Sequence, residues 1–288
     1  MSVATAFERL GVDLSAASSQ SVAGGCISSG RRVQVPDGRS FFVKRSTRLP
    51  ADMFPAEATG LAAMHSLDAI RVPKPYAVNA PEAQERFIVM EWIPSGSSTN
   101  ASAVELGRSL AHMHRTGRGR AFGFSIDNYI GSTRQPNEEN TSWLAFFSEK
   151  RLGFQTRLAL DSGKLDASIA SQIEEIQRRL SALLPDTDHP ALLHGDLWAG
   201  NYMIDDRGNP VLIDPATYYG HREADLAMTR LFGGFPSAFY NAYEEEWPLE
   251  PGFDERADLY NLYHMLNHLN IFGSGYLGSV RSIVNRFR

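Results

Sequence analysis

Leu193-His194-Gly195-Asp196-Leu197-Trp198-Ala199-Gly200-Asn201, followed closely by Leu212-Ile213-Asp214-Pro215, is the stretch around which the rest of the chain is organised. Three polar side chains, Asp196, Asn201 and Asp214, stand among apolar or turn-forming neighbours. Between the last two, Tyr202-Met203-Ile204 leads into Asp206-Arg207-Gly208-Asn209 and then into Val211-Leu212-Ile213. That pattern predicts a short β-hairpin closed by a Gly/Asn turn. The hairpin returns Asp214 to the side of Asn201. Two oxygen ligands facing one space suit a hard, oxygen-seeking Mg²⁺ ion, and Asp196 stays free to take the proton of an attacking hydroxyl.

Asp196 and Asn201 have the Asp-x-x-x-x-Asn spacing of a phosphotransferase catalytic loop. The plainer reading is that His-Gly-Asp is a common turn composition and that buried Asp and Asn often only tie loops together. The upstream chain favours chemistry. Ser40-Phe41-Phe42-Val43-Lys44 follows Arg32-Val33-Gln34-Val35 across a turn at Pro36-Asp37-Gly38, a second hairpin signature. Asp52 and Pro55 mark a helix start, and Glu57 shares a face with Leu61 and Met64. A carboxylate on an inward stripe is costly unless paired, and Lys44 is the nearest upstream partner. A strand lysine held by a helix glutamate is how kinases aim an ammonium at ATP phosphates. Ahead of the hairpin, Gly24 and Gly25 would let backbone N–H groups approach phosphates, although paired glycines also mark ordinary turns.

Val72–Val78 reads as an extended edge segment because of its prolines, and Glu85–Trp92 as a strong strand. Ile93-Pro94-Ser95-Gly96 then breaks the pattern, giving a boundary between lobes. In a kinase this is the hinge, whose backbone near Glu91 and Ile93 binds adenine. Helical periodicity dominates afterwards. Ser102 with Glu105 reads as a capping box, with Ala103, Leu106, Leu110 and Met113 as the buried face. Ile169, Ile173, Ile176 and Leu180 mark another core stripe. His112 and His114 read as ordinary helix residues, and His264 and His268 as core or hydrogen-bonding histidines. Asp225 is read as an N-cap or a brace for a loop.

The chain has 288 residues, enough for one large domain or two lobes, and a net charge of −5. That balance gives no electrostatic case for nucleic acid or an anionic membrane, and no apolar run approaches a membrane span. Residues 1–14 lack the basic and apolar regions of a signal peptide. Cys26 is the only cysteine, so no intrachain disulfide forms, and a reducing cytoplasmic setting is expected. Its thiol has two readings: a redox switch in a phosphate-binding loop, or simply a small apolar residue.

Leu192–Asn201, Ile213–His221 and Phe232–Pro236 resemble the fructosamine kinase (ketosamine-3-kinase) family, as do Gly24–Ser28, Phe42–Lys44, Val89–Glu91, Pro251–Asp254 and Leu266–His268. The resemblance runs through almost the whole chain. It implies an α+β, bilobal protein-kinase-like fold: a small antiparallel five-stranded N-lobe with one helix (1–93) and a mostly helical C-lobe (94–288). It implies ATP and Mg²⁺ as cofactors and phosphate transfer to the 3-hydroxyl of a ketosamine, in a deglycation or repair role. By position it implies Asp196 as base, Asn201 and Asp214 as Mg²⁺ ligands, Lys44 on phosphates and Glu57 positioning Lys44. It further implies that His194 and Asp225 brace the loop and that Trp198 lies against the sugar. The expected partner is a small glycated amine, free or protein-bound, met by a monomer or weak dimer. No Arg stands between His194 and Asp196, and Pro215 follows Asp214, so a phosphorylation-controlled activation loop is not expected. Two alternatives stay open: a kinase for another small alcohol such as an aminoglycoside, homoserine or choline, and a nucleotide-binding pseudokinase.

Overall fold

The computed structural model describes residues 2–22, 29–80 and 83–288. A short helix, α1 (Val3–Arg9), capped by the Ser2 hydroxyl, precedes strands β1 (Ser18–Val22), β2 (Ser29–Gln34) and β3 (Ser40–Ser46). Helix α2 (Met53–His65) follows, then β4 (Pro75–Val78) and β5 (Arg86–Glu91). The five strands form one antiparallel sheet in the order β1-β2-β3-β5-β4. The proline-bearing β4 lies at its edge, where a missing N–H costs nothing.

Side chains alternate between the two faces of a strand, and the sheet uses both. Phe41, Val43, Phe87 and Val89 pack with Ala6 and Phe7 of α1 in a small core of their own. On the other face Ile88 and Met90 join the main core with Phe54, Leu61 and Met64 of α2. Lys44 emerges on this second face, turned toward the rest of the molecule.

The helical body begins at α3 (Asn100–Thr116). Its cap differs from the sequence reading. Thr99 is the N-cap, bonded reciprocally with Ser102, while Glu105 accepts a bond from Ser109 one turn on. Thr99 and Ser102 have the same three-residue spacing, and a serine serves at N3 in place of an acid. A small hairpin, β6 (Asn128–Ile130) and β7 (Thr133–Gln135), leads to α4 (Trp143–Phe146), a π-helical turn (Phe147–Gly153) and α5 (Phe154–Asp161). Helices α6 (Ala167–Arg178) and α7 (Leu180–Leu183) complete this half of the body, with the predicted isoleucine stripe buried.

Next come the strands that carry the quoted stretch: β8 (Ala191–Leu193), β9 (Tyr202–Ile204), β10 (Pro210–Leu212) and β11 (Tyr218–Gly220). β9 pairs with β10 in the expected hairpin, and β8 with β11. The chain ends in α8 (Glu223–Met228), α9 (Ser237–Glu246), α10 (Phe253–Phe272) and α11 (Leu277–Phe287). α8 begins at Glu223, so Asp225 lies within its first turn and is not its N-cap. No helix among the described residues is long and apolar enough to cross a membrane.

Ties at residues 94–96 and at Arg71 join sheet and body. Gly96 N–H donates to the Ile204 carbonyl at 2.7 Å and Asp206 N–H to that of Pro94 at 3.1 Å. Arg71 binds Glu91 at 2.7 Å and also Asp205, a buried carboxylate that accepts the Arg207 and Asn209 amides of the hairpin turn.

The body also buries neutral imidazoles. Burial pushes His221 and His264 down to about 3. Unfolded imidazoles titrate near 6.5, so below that value the unfolded chain binds protons the folded one refuses. This part of the stability is intact above about pH 6.5 and is lost as pH falls toward about 3, at about 1.4 kcal/mol per pH unit for each group. Melting temperature is therefore expected to drop by several degrees between about pH 7 and pH 5; a flat profile there would contradict the assignment.

Candidate active site

The turn that holds Asp196 is built by its neighbours. Gly195 has φ +81°, and a Cβ there would meet the Ala216 carbonyl oxygen at 2.1 Å. Only glycine both adopts this backbone conformation and admits that approach. Ala216 N–H returns a bond to the His194 carbonyl at 2.9 Å. The His194 ring fixes the loop a second time. Its Nε2–H donates to the Ile213 carbonyl at 2.9 Å, leaving Nδ1 to accept the Asp196 amide at 3.3 Å. That pattern requires the neutral tautomer, and burial lowers the His194 pKa accordingly.

Beneath the loop lies Asp225. It accepts His194 N–H at 2.7 Å, Gly195 N–H at 2.8 Å and His114 Nε2–H at 3.2 Å. Burial works to raise its pKa, but the bond and charge of His114 and the loop contacts prevail, and the net shift is downward. Tyr243 holds the far side of the His114 ring, its hydroxyl 2.9 Å from Nδ1. The sequence did not single out His114 or Tyr243 for this role. The one clue was that His114 shares the inward stripe of α3 with Leu110 and Met113.

Asn201 donates from Nδ2 to the Asp196 carbonyl at 2.8 Å and to Asp196 Oδ2 at 3.0 Å. Burial raises the Asp196 carboxyl to about 7, with Asp214 and Asp225 adding repulsion and the Asn201 bond opposing. The β9–β10 hairpin brings Asp214 back as expected, since Ile213 N–H bonds the Asn201 carbonyl at 3.0 Å. Asp214 itself has φ +55°, a conformation short polar residues tolerate best.

Lys44 completes the group. Its ammonium is 2.7 Å from Glu57 Oε1 and 2.6 Å from Asp214 Oδ1. Burial alone would lower its pKa, but the two carboxylates outweigh burial and raise it, so the lysine stays charged. α2 carries Glu57 into place by lying close on the segment after Asp214; a Cβ at Gly60 would fall 2.7 Å from Thr217 Oγ1.

Trp198 is 37% exposed, its indole folded over Gly200, where a Cβ would meet the ring at 2.3 Å. Ile93 is buried. Glu91 is partly buried, its N–H bonded to the Lys74 carbonyl at 2.9 Å. Gly24, Gly25 and Cys26 lie outside the described residues.

Fold and residues together place the chain among the kinase-like phosphotransferases that act on hydroxyl groups. Within that class it belongs to the fructosamine kinase family, whose model matches residues 2–288. The chain is 45% identical over 257 residues to a protein named "Probable ketoamine kinase" from Synechocystis sp., covering 89% of this chain and 85% of that one. It is 44% identical over 269 residues to the protein-ribulosamine 3-kinase, chloroplastic, of Arabidopsis thaliana, covering 93% and 81%. A crystal structure of a protein provisionally named fructosamine-3-kinase, from Thermobifida fusca YX-ER1, superposes with a TM-score of 0.88 at 32% identity, covering 99% of this chain and 98% of the other.

Proposed function

We propose that this protein transfers the γ-phosphoryl group of ATP to the 3-hydroxyl of a ketosamine, with Asp196 as base. The observation that carries the reading is the convergence of Glu57 and Asp214 on the Lys44 ammonium, in a family member whose loop also pairs Asp196 with Asn201. Lys44, steadied by Glu57, binds the phosphates, and backbone groups near Glu91 and Ile93 take the adenine. Gly24 and Gly25, outside the described residues, are assigned to the phosphates from the sequence alone. In this reading residues 1–93 form the nucleotide lobe and 94–288 the catalytic and substrate lobe.

The donor set fits Mg²⁺. Asn201 commits its Nδ2 to Asp196, and Asp214 commits Oδ1 to Lys44. Among the described residues neither Asn201 Oδ1 nor Asp214 Oδ2 accepts a hydrogen bond, and such oxygens are what this cation takes. Bound there, Mg²⁺ would neutralise phosphate charge.

Asp196 accepts the proton of the 3-hydroxyl as its oxygen bonds to the γ-phosphorus and the bond to the ADP oxygen breaks. Asn201 orients that carboxylate. His194 and Asp225 hold the loop in register with Ile213 and so with Asp214. The phosphorylated ketosamine is unstable and leaves the amine free, giving a repair role in a cytoplasmic setting. Trp198 presents an aromatic face to the sugar or to the aliphatic stem of the amine. Trp198→Ala is accordingly expected to raise KM for the ketosamine on the order of tenfold, with KM for ATP unchanged; equal effects on both would remove Trp198 from the sugar site.

ATP consumption measured with Mg²⁺ across fructoselysine, ribuloselysine, erythruloselysine and an aminoglycoside tests the whole reading. Turnover of a ketosamine, with phosphorus NMR placing the phosphate on the 3-hydroxyl, supports it. Turnover of the aminoglycoside alone, or nucleotide binding without any turnover, overturns it.

A further inference from the structure

The β6–β7 hairpin carries polar side chains that the chemistry above does not use. Asn128 and Gln135 are buried, as is Asn137 just past the hairpin. Asn128 Nδ2–H donates to the Thr217 carbonyl at 2.7 Å and Gln135 Nε2–H to that of Ala216 at 3.0 Å. These two carbonyls follow closely on Asp214, and that of Ala216 is the one that closes on Gly195. Gln135 Nε2 and Asn137 Nδ2 also donate to Asn128 Oδ1, at 2.7 and 2.9 Å, and the Tyr263 hydroxyl donates to Gln135 Oε1 at 2.6 Å. A buried polar network paired in this way rigidifies what it holds.

The same hairpin meets α2. The Tyr129 hydroxyl donates to Asp52 Oδ1 at 2.7 Å. Arg134 Nη1 lies 3.7 Å from Asp52 Oδ2, and its Nη2 donates to Asp127 at 3.2 Å. Asp52 stands at the N-cap of α2, where an aspartate ordinarily accepts an amide of its own first turn from an extended backbone. It makes no such bond, and its φ of −89° and ψ of −6° are helical. Asp166, by contrast, caps α6 through the Ile169 amide at 2.9 Å. The Asp52 carboxylate is thus spent on the helical body and not on its own helix. Burial and the bond to Asp52 push the Tyr129 hydroxyl up to about 12, so it keeps the proton it donates.

We propose that the β6–β7 hairpin is a fixed clamp that sets α2 for nucleotide binding, with Tyr129 and Asp52 as positioning residues that act on Lys44 through Glu57. The inference rests on the reading of Lys44 as a phosphate ligand. One hairpin holds both the start of the helix that carries Glu57 and the backbone just past Asp214, and those two carboxylates are the ones that grip the Lys44 ammonium. The body therefore fixes their separation before nucleotide arrives. Arg134 and Asp52 are half exposed and their charges stand well apart, so that pair adds little. The Tyr129 bond carries the contact.

Tyr129→Phe and Asp52→Ala each remove that bond without breaking a helix cap. Each is expected to weaken binding of ADP with Mg²⁺ and to raise KM for ATP about fivefold, in the range of one net hydrogen bond. KM for the ketosamine is expected to stay within about twofold and melting temperature within a few degrees. Asp52→Asn keeps an acceptor oxygen and is expected to bind ADP as the wild type does. The double variant is expected to be no worse than either single one, since both break the same bond. Amide hydrogen exchange in α2 is expected to quicken in Tyr129→Phe, with β3 and β5 unchanged. Unchanged ADP affinity, additive losses in the double variant, or equal rises in both KM values overturn the proposal. ADP titration needs no acceptor, so a wild type that binds ADP but phosphorylates no ketosamine overturns the proposed acceptor alone. Wild-type protein that binds no ADP overturns the phosphate role of Lys44, and the positioning role falls with it.

Discussion

Asp196→Asn is expected to slow phosphoryl transfer by on the order of 10²–10⁴, the usual worth of a general base, while nucleotide affinity stays nearly unchanged. The substitution is close to isosteric, and the bonds that shape the loop do not depend on the carboxylate. Gly195 keeps its fit against Ala216, Asp225 keeps the His194 and Gly195 amides, and the Asp196 carbonyl still receives Asn201. On the proposed mechanism, what is lost is a basic oxygen at the attacking hydroxyl. Lys44, Glu57 and Asp214, the groups proposed for the phosphates, are untouched. Steady-state ADP production together with nucleotide titration separates the two quantities. A variant with near wild-type kcat would show that Asp196 only shapes the loop, and a variant that no longer binds nucleotide would show that the loop had collapsed.

Arg256→Met is expected to cost about 3–5 kcal/mol of stability, because it leaves a charge buried and alone. Arg256 Nε donates to Glu223 Oε2 at 2.6 Å and Nη2 to Oε1, a two-point grip joining α10 to α8. The Pro251 and Glu250 carbonyls take further bonds from the guanidinium. Both side chains are buried, Glu223 completely. Without its partner Glu223 must either protonate or draw water into the core. Asp225 follows two residues later on the same helix, so activity is expected to fall along with stability. Urea unfolding at neutral pH measures the loss. Adding Glu223→Gln to Arg256→Met removes the orphaned charge and is expected to recover much of it; a double variant no better than the single would place the cost in lost packing around the guanidinium.

These two sites also mark what local pattern reveals and what it hides. The hairpin carrying Asp214 and the inward Glu57 were legible because period and turn chemistry act over a few residues. Glu57 could be matched with Lys44 because a buried carboxylate needs a cation and few candidates were near. The Glu223–Arg256 pair, 33 residues apart, goes unread in the sequence, since nothing in either neighbourhood declares it buried. Asp225 was seen as a brace or a cap. Only the fold shows its carboxylate spread under two amides of a loop some 30 residues earlier in the chain, with His114 of α3 beside it. The α3 cap was misplaced by three residues because Ser102 serves equally well at the cap or inside the first turn. Arg71 is hardest of all to read: its partner Asp205 lies 134 residues away.

The stitching of Pro94 and Gly96 to the β9–β10 hairpin leaves a pivot only two residues long, Trp92 and Ile93, between sheet and helical body. Most linkers of this kind act as a strap that stretches and swings. Here the strap is sewn down, and Arg71 pins the same spot from the side. The sheet is therefore held to the body on both sides of residues 92–93, by the bonds of Pro94 and Gly96 and by Arg71, whose carbonyl also accepts the Leu212 N–H at 3.0 Å. Loosening Arg71 would free one side of that attachment, and Lys44, 2.6 Å from Asp214, would be held less firmly against the body.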